Sequence, residues 1–167
     1  IKFYLAKGGE PSVDSLEKTI KKAYAFEERE MHYFAIELLE RQKKKWQEAH
    51  LDLAVWLISN NSWWDTVDLI ATHLVGGLLK KFPTLIHHSD QWVKHENMWL
   101  RRTALLYQLG YKEKTDADKL FSYCKMLAHE KEFFIKKAIG WALRQHGKYY
   151  PEAVKKFVEE NVLSPLS

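Results

Sequence analysis

The sequence predicts an all-α protein in which antiparallel helix pairs stack into a solenoid. Apolar residues recur at helical spacing along most of the chain, and no segment alternates with the two-residue period of a strand. Only 7 Gly and 4 Pro interrupt the 167 residues. A β-sandwich or barrel is rich in tight turns and would need more of both. The turn-poor, helix-patterned sequence therefore favours helices throughout.

The predicted helices follow one another with turn signals between them. Helical spacing of apolar residues is clearest from Ser62 onward and at 27–41, 98–109, 115–127 and 133–146. Glycine, asparagine and proline separate the segments, at Gly8-Gly9, Asn60-Asn61, Pro83, Gly110 and Pro151. Ser62 followed three residues later by Asp65 is typical of a helix start, with Ser62 as the N-cap.

Composition indicates one ordinary globular domain. Hydrophobic residues make up 46% and aromatic residues 14% of the chain, which excludes a disordered tail. The single cysteine, Cys124, excludes a disulfide framework and fits the reducing cytoplasm. No apolar run approaches roughly 18 residues, so no membrane span is expected. We expect a single domain, 1–167, from which the first helices and the extreme C-terminus of the natural protein are missing.

Small residues recur at a nearly constant interval. Four alanines in successive apolar segments are separated by 36, 33 and 34 positions, namely Ala35, Ala71, Ala104 and Ala138. Because small side chains let backbones approach closely, this interval predicts stacked helix-pair repeats. The alternative is an irregular helical bundle in which the alanine spacing is accidental.

Basic residues share this interval. Lys44, Lys80, Lys114 and Lys148 lie 36, 34 and 34 positions apart. Residues at equal phase in a solenoid lie along one edge, so they predict a positive stripe. The residues expected to widen it are Lys43, Lys45, Lys81, Arg101, Arg102 and Arg144. Such a line of cations suits a nucleic-acid backbone, where counterion release supplies affinity. The alternative is that they simply end helices, where the helix dipole favours positive charge.

Trp64 and Asp68 are the first candidate site residues. They lie four positions apart at the start of a helix and so share one face. An aromatic ring face and a carboxylate both favour positive charge, so the pair suits the binding or stabilisation of a cation. In the alternative interpretation, Trp64 belongs to the core and Asp68 is merely solvated. The adjacent Trp63 points elsewhere and is predicted to be the core residue.

Arg102 and Trp141 are the other candidates. Neighbouring helical residues diverge by about 100°, so only one of Arg101 and Arg102 can share a face with Asp68. A phosphate clamp and a salt bridge are both open to that arginine. Gly140 costs a helix up to about 1 kcal/mol relative to Ala and predicts close approach by another helix or a ligand. Burial of Trp141 beside it is the alternative.

Other chemistry finds no support in the sequence. His87, His88 and His95 lack the carboxylate or cysteine pattern of a metal site, so we predict no metal. Cys124 is interpreted as a core thiol. The chain contains no G-x-S-x-G, no P-loop and no G-x-G-x-x-G, so neither a serine or cysteine hydrolase nor a nucleotide cofactor is expected.

Four segments together resemble the AlkD-like DNA alkylation repair family. They read SWWDTVD at 62–68, MWLRRTALL at 98–106 and KEFFIKKAIGWALR at 131–144, with 157–167 as the fourth. The resemblance runs from about Glu27 to the end of the chain. It implies HEAT-like helix pairs around a concave, positively charged groove for double-stranded DNA. It also implies a monomer.

The resemblance implies a monofunctional DNA glycosylase that releases N3- and N7-alkylated purines, such as 3-methyladenine and 7-methylguanine. It makes Asp68 the cleft carboxylate, Trp64 and Trp141 the aromatic walls, and Arg102 the site arginine. We expect Asp68 to stabilise an oxocarbenium-like cation and position water, and Arg102 to hold a flanking phosphate. An aromatic residue from the family's N-terminal helices cannot be placed in this sequence.

Two other functions remain open at this point. One is a HEAT-like protein that recognises DNA structure without excising a base. The other is a HEAT-type scaffold whose lysine stripe binds an acidic protein partner. Salt dependence of DNA binding separates the scaffold from the rest, and substitution of Asp68 separates the enzyme from the non-excising protein.

Overall fold

The computed structural model describes residues 13–167, and within them every regular element is helical. The turn predicted at Gly8-Gly9 lies outside this range. The α-helices are α1 (Val13–Tyr24), α2 (Arg29–Arg41), α3 (His50–Ser59), α4 (Trp64–Leu69), α5 (Gly76–Lys81), α6 (His87–Trp92), α7 (Met98–Leu106), α8 (Ala117–Leu127), α9 (Phe133–Gly147) and α10 (Pro151–Glu160). The all-α prediction is confirmed.

The helices pair in chain order and the pairs stack. α1 packs on α2, α3 on the helix of α4 and α5, α6 on α7, and α8 on α9. The second members of these pairs also contact one another in sequence, so α2, α4, α5, α7 and α9 form one layer. We call it the site layer, because it carries the cleft described below. The opposite layer consists of α1, α3, α6 and α8.

The small-residue interval corresponds to real contacts between neighbouring repeats. All four alanines of the interval lie in the site layer and are buried. Side chains also bridge successive repeats across the same spacing. Ser89 Oγ and Tyr123 Oη are 2.8 Å apart and 34 positions apart, and Tyr111 Oη donates to the carbonyl of Gly76, 35 positions earlier, at 2.8 Å. The predicted stacking of helix pairs is confirmed.

One helix of the site layer contains a wide turn. α4 continues into α5 through the π-helical segment Ile70–Val75. Its neighbours keep helical angles, with φ −62° and ψ −48° at Leu69 and φ −56° and ψ −40° at Gly76. The hydroxyl of Thr72 donates to the carbonyl of Asp68 at 2.7 Å within this turn. Such turns are frequent at functional sites, and this one begins two residues after Asp68.

The start of α4 differs from the prediction. The N-cap is Trp63, in an extended conformation with φ −148° and ψ 158°, whereas Ser62 donates its hydroxyl to the carbonyl of Ile58. Because Trp63 lies off the end of the helix, its side chain does not reach the buried face and is 48% exposed. Its ring instead meets Trp99 at 6.3 Å and Phe134 at 5.5 Å between centroids. The prediction of Trp63 as a core residue is wrong.

Gly140 is approached closely, as predicted, but by the C-terminal segment of the chain rather than by a helix. A Cβ at this position would lie 2.8 Å from the carbonyl oxygen of Ser167. The C-terminal segment therefore passes directly over α9, and only a glycine leaves room for it. The neighbouring Trp141 is 41% exposed, so the alternative of a buried tryptophan is also wrong.

The interior contains the single thiol of the chain. Cys124 is fully buried in α8, and burial raises the pKa of its thiol to about 12. An un-ionised thiol is a poor nucleophile, which agrees with its interpretation as a core residue.

Among the described residues, no helix is both long and apolar enough to cross a bilayer.

Candidate functional site

A cleft of about 650 Å³ opens on the site layer. Its lining includes three aromatic side chains, Tyr33, Trp64 and Trp141, and two carboxylates, Asp65 and Asp68. We call it the aromatic cleft. These residues come from α2, α4 and α9, so the stacking of repeats brings together side chains that are far apart in sequence. Trp64, Asp68 and Trp141, all expected at one site, meet here.

Asp68 is held at the cleft by a two-pronged ion pair. Arg102 donates from Nε to Oδ1 at 2.7 Å and from Nη2 to Oδ2 at 2.8 Å. The side chain of Asp68 is only 10% exposed and that of Arg102 only 5%. A parallel pair of charge-assisted bonds fixes the plane of the carboxylate. Each oxygen still has a lone-pair site that Arg102 does not occupy, so Asp68 can accept a further hydrogen bond.

The same arginine is anchored on its other side. Its Nη1 donates to the carbonyl of Phe134 in α9, and its guanidinium lies 5.8 Å from the centroid of the Phe134 ring. Arg102 is buried, and three of its five N–H donors are engaged within the protein. Of the two roles open to it, the salt bridge with Asp68 is formed, and a contact with a DNA phosphate stays a prediction.

The two tryptophans of the cleft are accessible. Trp64 is 47% exposed at the first position of α4, and Trp141 is similarly exposed in the middle of α9. Core burial of Trp64 and full solvation of Asp68 are thus both excluded. A nearly buried carboxylate and two accessible indole rings therefore line the same cleft, which offers a cation a negative charge and two π-faces.

A second hydrogen-bond network in the cleft was not predicted from the sequence. Tyr33 donates its hydroxyl to Asp65 Oδ2 at 2.6 Å, and Arg29 pairs with the other oxygen of that carboxylate. The backbone N–H of Thr66 also donates to Asp65 Oδ1, at 2.6 Å. The hydrogen bond to Asp65 raises the pKa of Tyr33. Arg29 and Tyr33 precede Asp65 by 36 and 32 positions, so the repeat interval was the signal that could have found them.

The basic residues divide into two groups. Lys44, Lys80 and Lys81 line a common cavity of about 490 Å³ beside Trp46, which brings together members of two repeats. Lys81 also donates to the carbonyl of Trp46 at 2.7 Å. This contact fits the alternative that lysines bind the carbonyl groups at the ends of helical segments. A role of these lysines in DNA binding stays a prediction.

The remaining predicted basic residues are placed as follows. Lys114, Arg144 and Lys148 are exposed, and Lys148 contacts Gln145 Oε1 at 2.8 Å. Arg101 instead donates to the carbonyls of His95 and Glu96, both at 2.7 Å, and from Nη2 to Glu130 at 3.0 Å. These donors are engaged within the protein, and a contact between Arg101 and DNA stays a prediction.

No group of His, Cys, Asp and Glu side chains suited to a metal ion occurs in the described part of the chain. His87 and His88 stack on each other, with ring centroids 4.1 Å apart. His88 lies in turn 6.0 Å from the ring of Trp92. Their arrangement is an aromatic stack on the opposite layer, away from the cleft.

Comparison with known proteins agrees with this architecture. The family described as DNA alkylation repair enzyme matches residues 3–167. A solved structure described as a predicted DNA alkylation repair enzyme from Enterococcus faecalis superimposes with a TM-score of 0.90 at 34% identity, covering 99% of this chain and 78% of that one.

A second solved structure, smu.31 from Streptococcus mutans UA159, is similar in fold with a TM-score of 0.74 at 18% identity, covering 98% of this chain and 83% of that one. No curated protein matches the chain. The match to the family extends over nearly the whole sequence, and the Enterococcus faecalis relative shares a third of its residues. The chain belongs to the DNA alkylation repair enzyme family.

Proposed function

We propose that this repair enzyme is a monofunctional DNA glycosylase, acting as a monomer on duplex DNA. It hydrolyses the N-glycosidic bond of purines alkylated at N3 or N7, such as 3-methyladenine and 7-methylguanine. The observation that carries the proposal is Asp68, a carboxylate fixed by Arg102 at the cleft between two accessible tryptophan rings.

The chemistry of the lesion matches what the cleft offers. Alkylation at N3 or N7 gives the purine a formal positive charge and makes it a good leaving group. As the glycosidic bond breaks, its electron pair stays with the base, and positive charge develops on the deoxyribose. The reaction therefore needs an anion beside the sugar and a water molecule to attack it. It does not need a strong general acid.

Asp68 supplies the anion in this mechanism. Arg102 fixes both carboxylate oxygens before the substrate arrives, so little reorganisation is needed when charge develops on the sugar. An oxygen that accepts one hydrogen bond from Arg102 can accept a second from water. Asp68 can thus stabilise the sugar cation and orient the attacking water at the same time.

Trp64 and Trp141 form the walls of the site in this mechanism. Their exposed rings lie at the cleft in which Asp68 sits. An indole ring is the strongest π-donor to a cation among the side chains, so both walls favour the transition state, in which the sugar is cationic. They also exclude water from one side of the nucleotide, which strengthens the effect of the carboxylate.

Product analysis tests the reaction type. The protein is incubated with N-methylated duplex DNA, and released bases and DNA strands are separated by chromatography. We expect free 3-methyladenine or 7-methylguanine together with intact strands that contain abasic sites. Borohydride should trap no covalent protein–DNA adduct. Salt-sensitive duplex binding without base release would instead indicate a protein that recognises DNA structure and does not excise.

A further inference from the structure

This inference rests on the proposed function, in which the sugar of the damaged nucleotide lies against Asp68. A strand whose deoxyribose lies against Asp68 carries a phosphate on either side of that sugar. Arg102 cannot hold both phosphates, because it is buried and three of its five N–H donors are used by Asp68 and by the carbonyl of Phe134. A second cationic group is therefore expected where the strand leaves the aromatic cleft.

A second cavity adjoins the aromatic cleft. It measures about 470 Å³ and shares Thr72, His73 and Gly110 with the cleft lining. We call it the side cavity. Because the two cavities share these lining residues, they border each other, and a strand that lies in the aromatic cleft has the side cavity directly beside it.

Two lysines are held in the side cavity by its own aromatic rings. Lys43 Nζ lies 5.9 Å from the centroid of Trp46, and Lys80 Nζ lies 5.8 Å from that of Tyr111. All four residues line the cavity. An aromatic face attracts the ammonium group and restrains the flexible side chain. Among the described side chains, neither lysine is paired with a carboxylate.

His73 stands at the junction of the two cavities. It belongs to the π-helical segment that follows Asp68, and its side chain is 55% exposed. Its Nδ1 lies 2.5 Å from Glu40 Oε1, and Glu40 also lines the side cavity. This contact fixes the imidazole and occupies one ring nitrogen. Nε2 has no hydrogen-bond partner in the described part of the chain and is open to a ligand.

The geometry points to a phosphodiester site in the side cavity, formed by Lys43, His73 and Lys80, that holds the backbone phosphate next to the nucleotide in the aromatic cleft. Two restrained ammonium groups supply the charge that a phosphate needs. Glu40 orients His73 through Nδ1. Because a phosphate oxygen only accepts hydrogen bonds, His73 contributes to the site as the doubly protonated imidazolium, which donates from Nε2 at the boundary with the cleft.

The test combines protein variants with single changes in the DNA. The duplex carries a stable abasic-site analogue, and one flanking phosphate at a time is replaced by an uncharged methylphosphonate. Binding is measured for the wild type, Lys80→Met and His73→Gln. Lys125→Met is the matched control, because Lys125 is an exposed lysine on α8 in the opposite layer. Thermal unfolding verifies that each variant is folded.

We expect one methylphosphonate position to weaken wild-type binding by about tenfold. The same replacement should have little further effect on Lys80→Met or His73→Gln, since the interaction is already lost. Lys80→Met should also lower the slope of log affinity against log salt by about 1. Lys125→Met should behave as the wild type does at every position.

Equal losses in the wild type and both variants at every position would overturn the site. Its failure is distinguishable from failure of the proposed function. If bases are released but the methylphosphonate weakens the binding of the wild type and of the variants equally, the side-cavity site alone is refuted. If the methylphosphonate weakens the binding of the wild type more than that of the variants but no base is released, the site is supported and the glycosylase is refuted. No duplex binding at all by the wild type refutes both.

Discussion

The ion pair between Asp68 and Arg102 contributes both to the stability of the fold and to the proposed chemistry. Both side chains are nearly buried, and they join α4 to α7 across one repeat interval. Removal of one partner from a buried pair leaves an uncompensated charge, which is far more costly than loss of a surface pair. Arg102 is thus a positioning residue for the site and a structural residue of the solenoid.

Arg102→Ala should therefore lower the free energy of unfolding by about 3–5 kcal/mol. The control is Arg41→Ala, because Arg41 pairs with Glu37 on the exposed face of α2. A surface pair of this kind contributes at most about 1 kcal/mol. Urea unfolding followed by circular dichroism measures both. Equal losses in the free energy of unfolding would mean that the buried pair stabilises the fold no more than the surface pair does.

His146 gives a second prediction at the scale of single residues. It is 3% exposed in α9, and neither ring nitrogen has a hydrogen-bond partner within the described residues. Burial lowers the pKa of this imidazole below its ordinary value of 6.5. The folded state thus resists a proton that the unfolded state accepts. Stability from this position is complete above about pH 6.5 and is lost as the pH falls through the folded-state pKa.

His146→Phe should reduce this acid sensitivity, because phenylalanine keeps a ring among Phe121 and Tyr150 and does not titrate. Urea midpoints at pH 7.5 and 5.5 measure the effect. We expect the wild type to lose more stability than the variant between the two values. An identical loss in both proteins would assign the pH dependence to other groups.

At the scale of elements, contacts between helices are set by glycine as well as alanine. A Cβ on Gly76, where α5 begins, would overlap the carbonyl oxygen of Tyr107, which follows α7. Backbone atoms cannot move aside as a flexible side chain can. The hydroxyl of Tyr111 donates to the carbonyl of Gly76 at the same contact. The crossing of these two segments therefore requires glycine.

Gly76→Ala should destabilise the fold by about 1–3 kcal/mol or more, as overpacking of a filled interior does. Gly110→Ala is the control, because a Cβ there would meet no atom within 4 Å. It should leave stability unchanged or raise it slightly, since alanine reduces the freedom of the unfolded chain. Thermal unfolding midpoints compare the two, and a tolerated alanine at position 76 would contradict the close crossing.

At the scale of the whole molecule, the sequence predicted the repeat architecture because stacking leaves a periodic trace. Close packing needs a small residue once per repeat, and Ala35 to Ala138 provide one. The meeting of Trp64 and Asp68 was predictable for a similar reason, since residues four apart share a helix face. The wide turn of 70–75 left no such trace, because the segment contains neither glycine nor proline and its residue types also occur in ordinary helices.

What the sequence could not settle was which partner each side chain chooses. An arginine can bind a phosphate or a carboxylate equally well, so Arg102 allowed two interpretations until its neighbours were known. Gly140 signalled a close approach but not its source, which is the C-terminal segment. Asp65, Arg29 and Tyr33 are linked only through the repeat interval.

The most direct test of the account is the single-turnover rate of 7-methylguanine release by the wild type and by Asp68→Asn. Asparagine keeps the shape of the side chain but removes the negative charge that the proposed mechanism needs. Asp118→Asn, an exposed position on α8, is the control. Thermal unfolding and affinity for undamaged duplex DNA establish that each variant is folded.

We predict that Asp68→Asn binds duplex DNA and releases base at least about 100-fold more slowly than the wild type, the scale for loss of one preorganised electrostatic group. Asp118→Asn should match the wild type. Wild-type rates of release from folded, DNA-binding Asp68→Asn would contradict the central claim that this carboxylate stabilises the transition state.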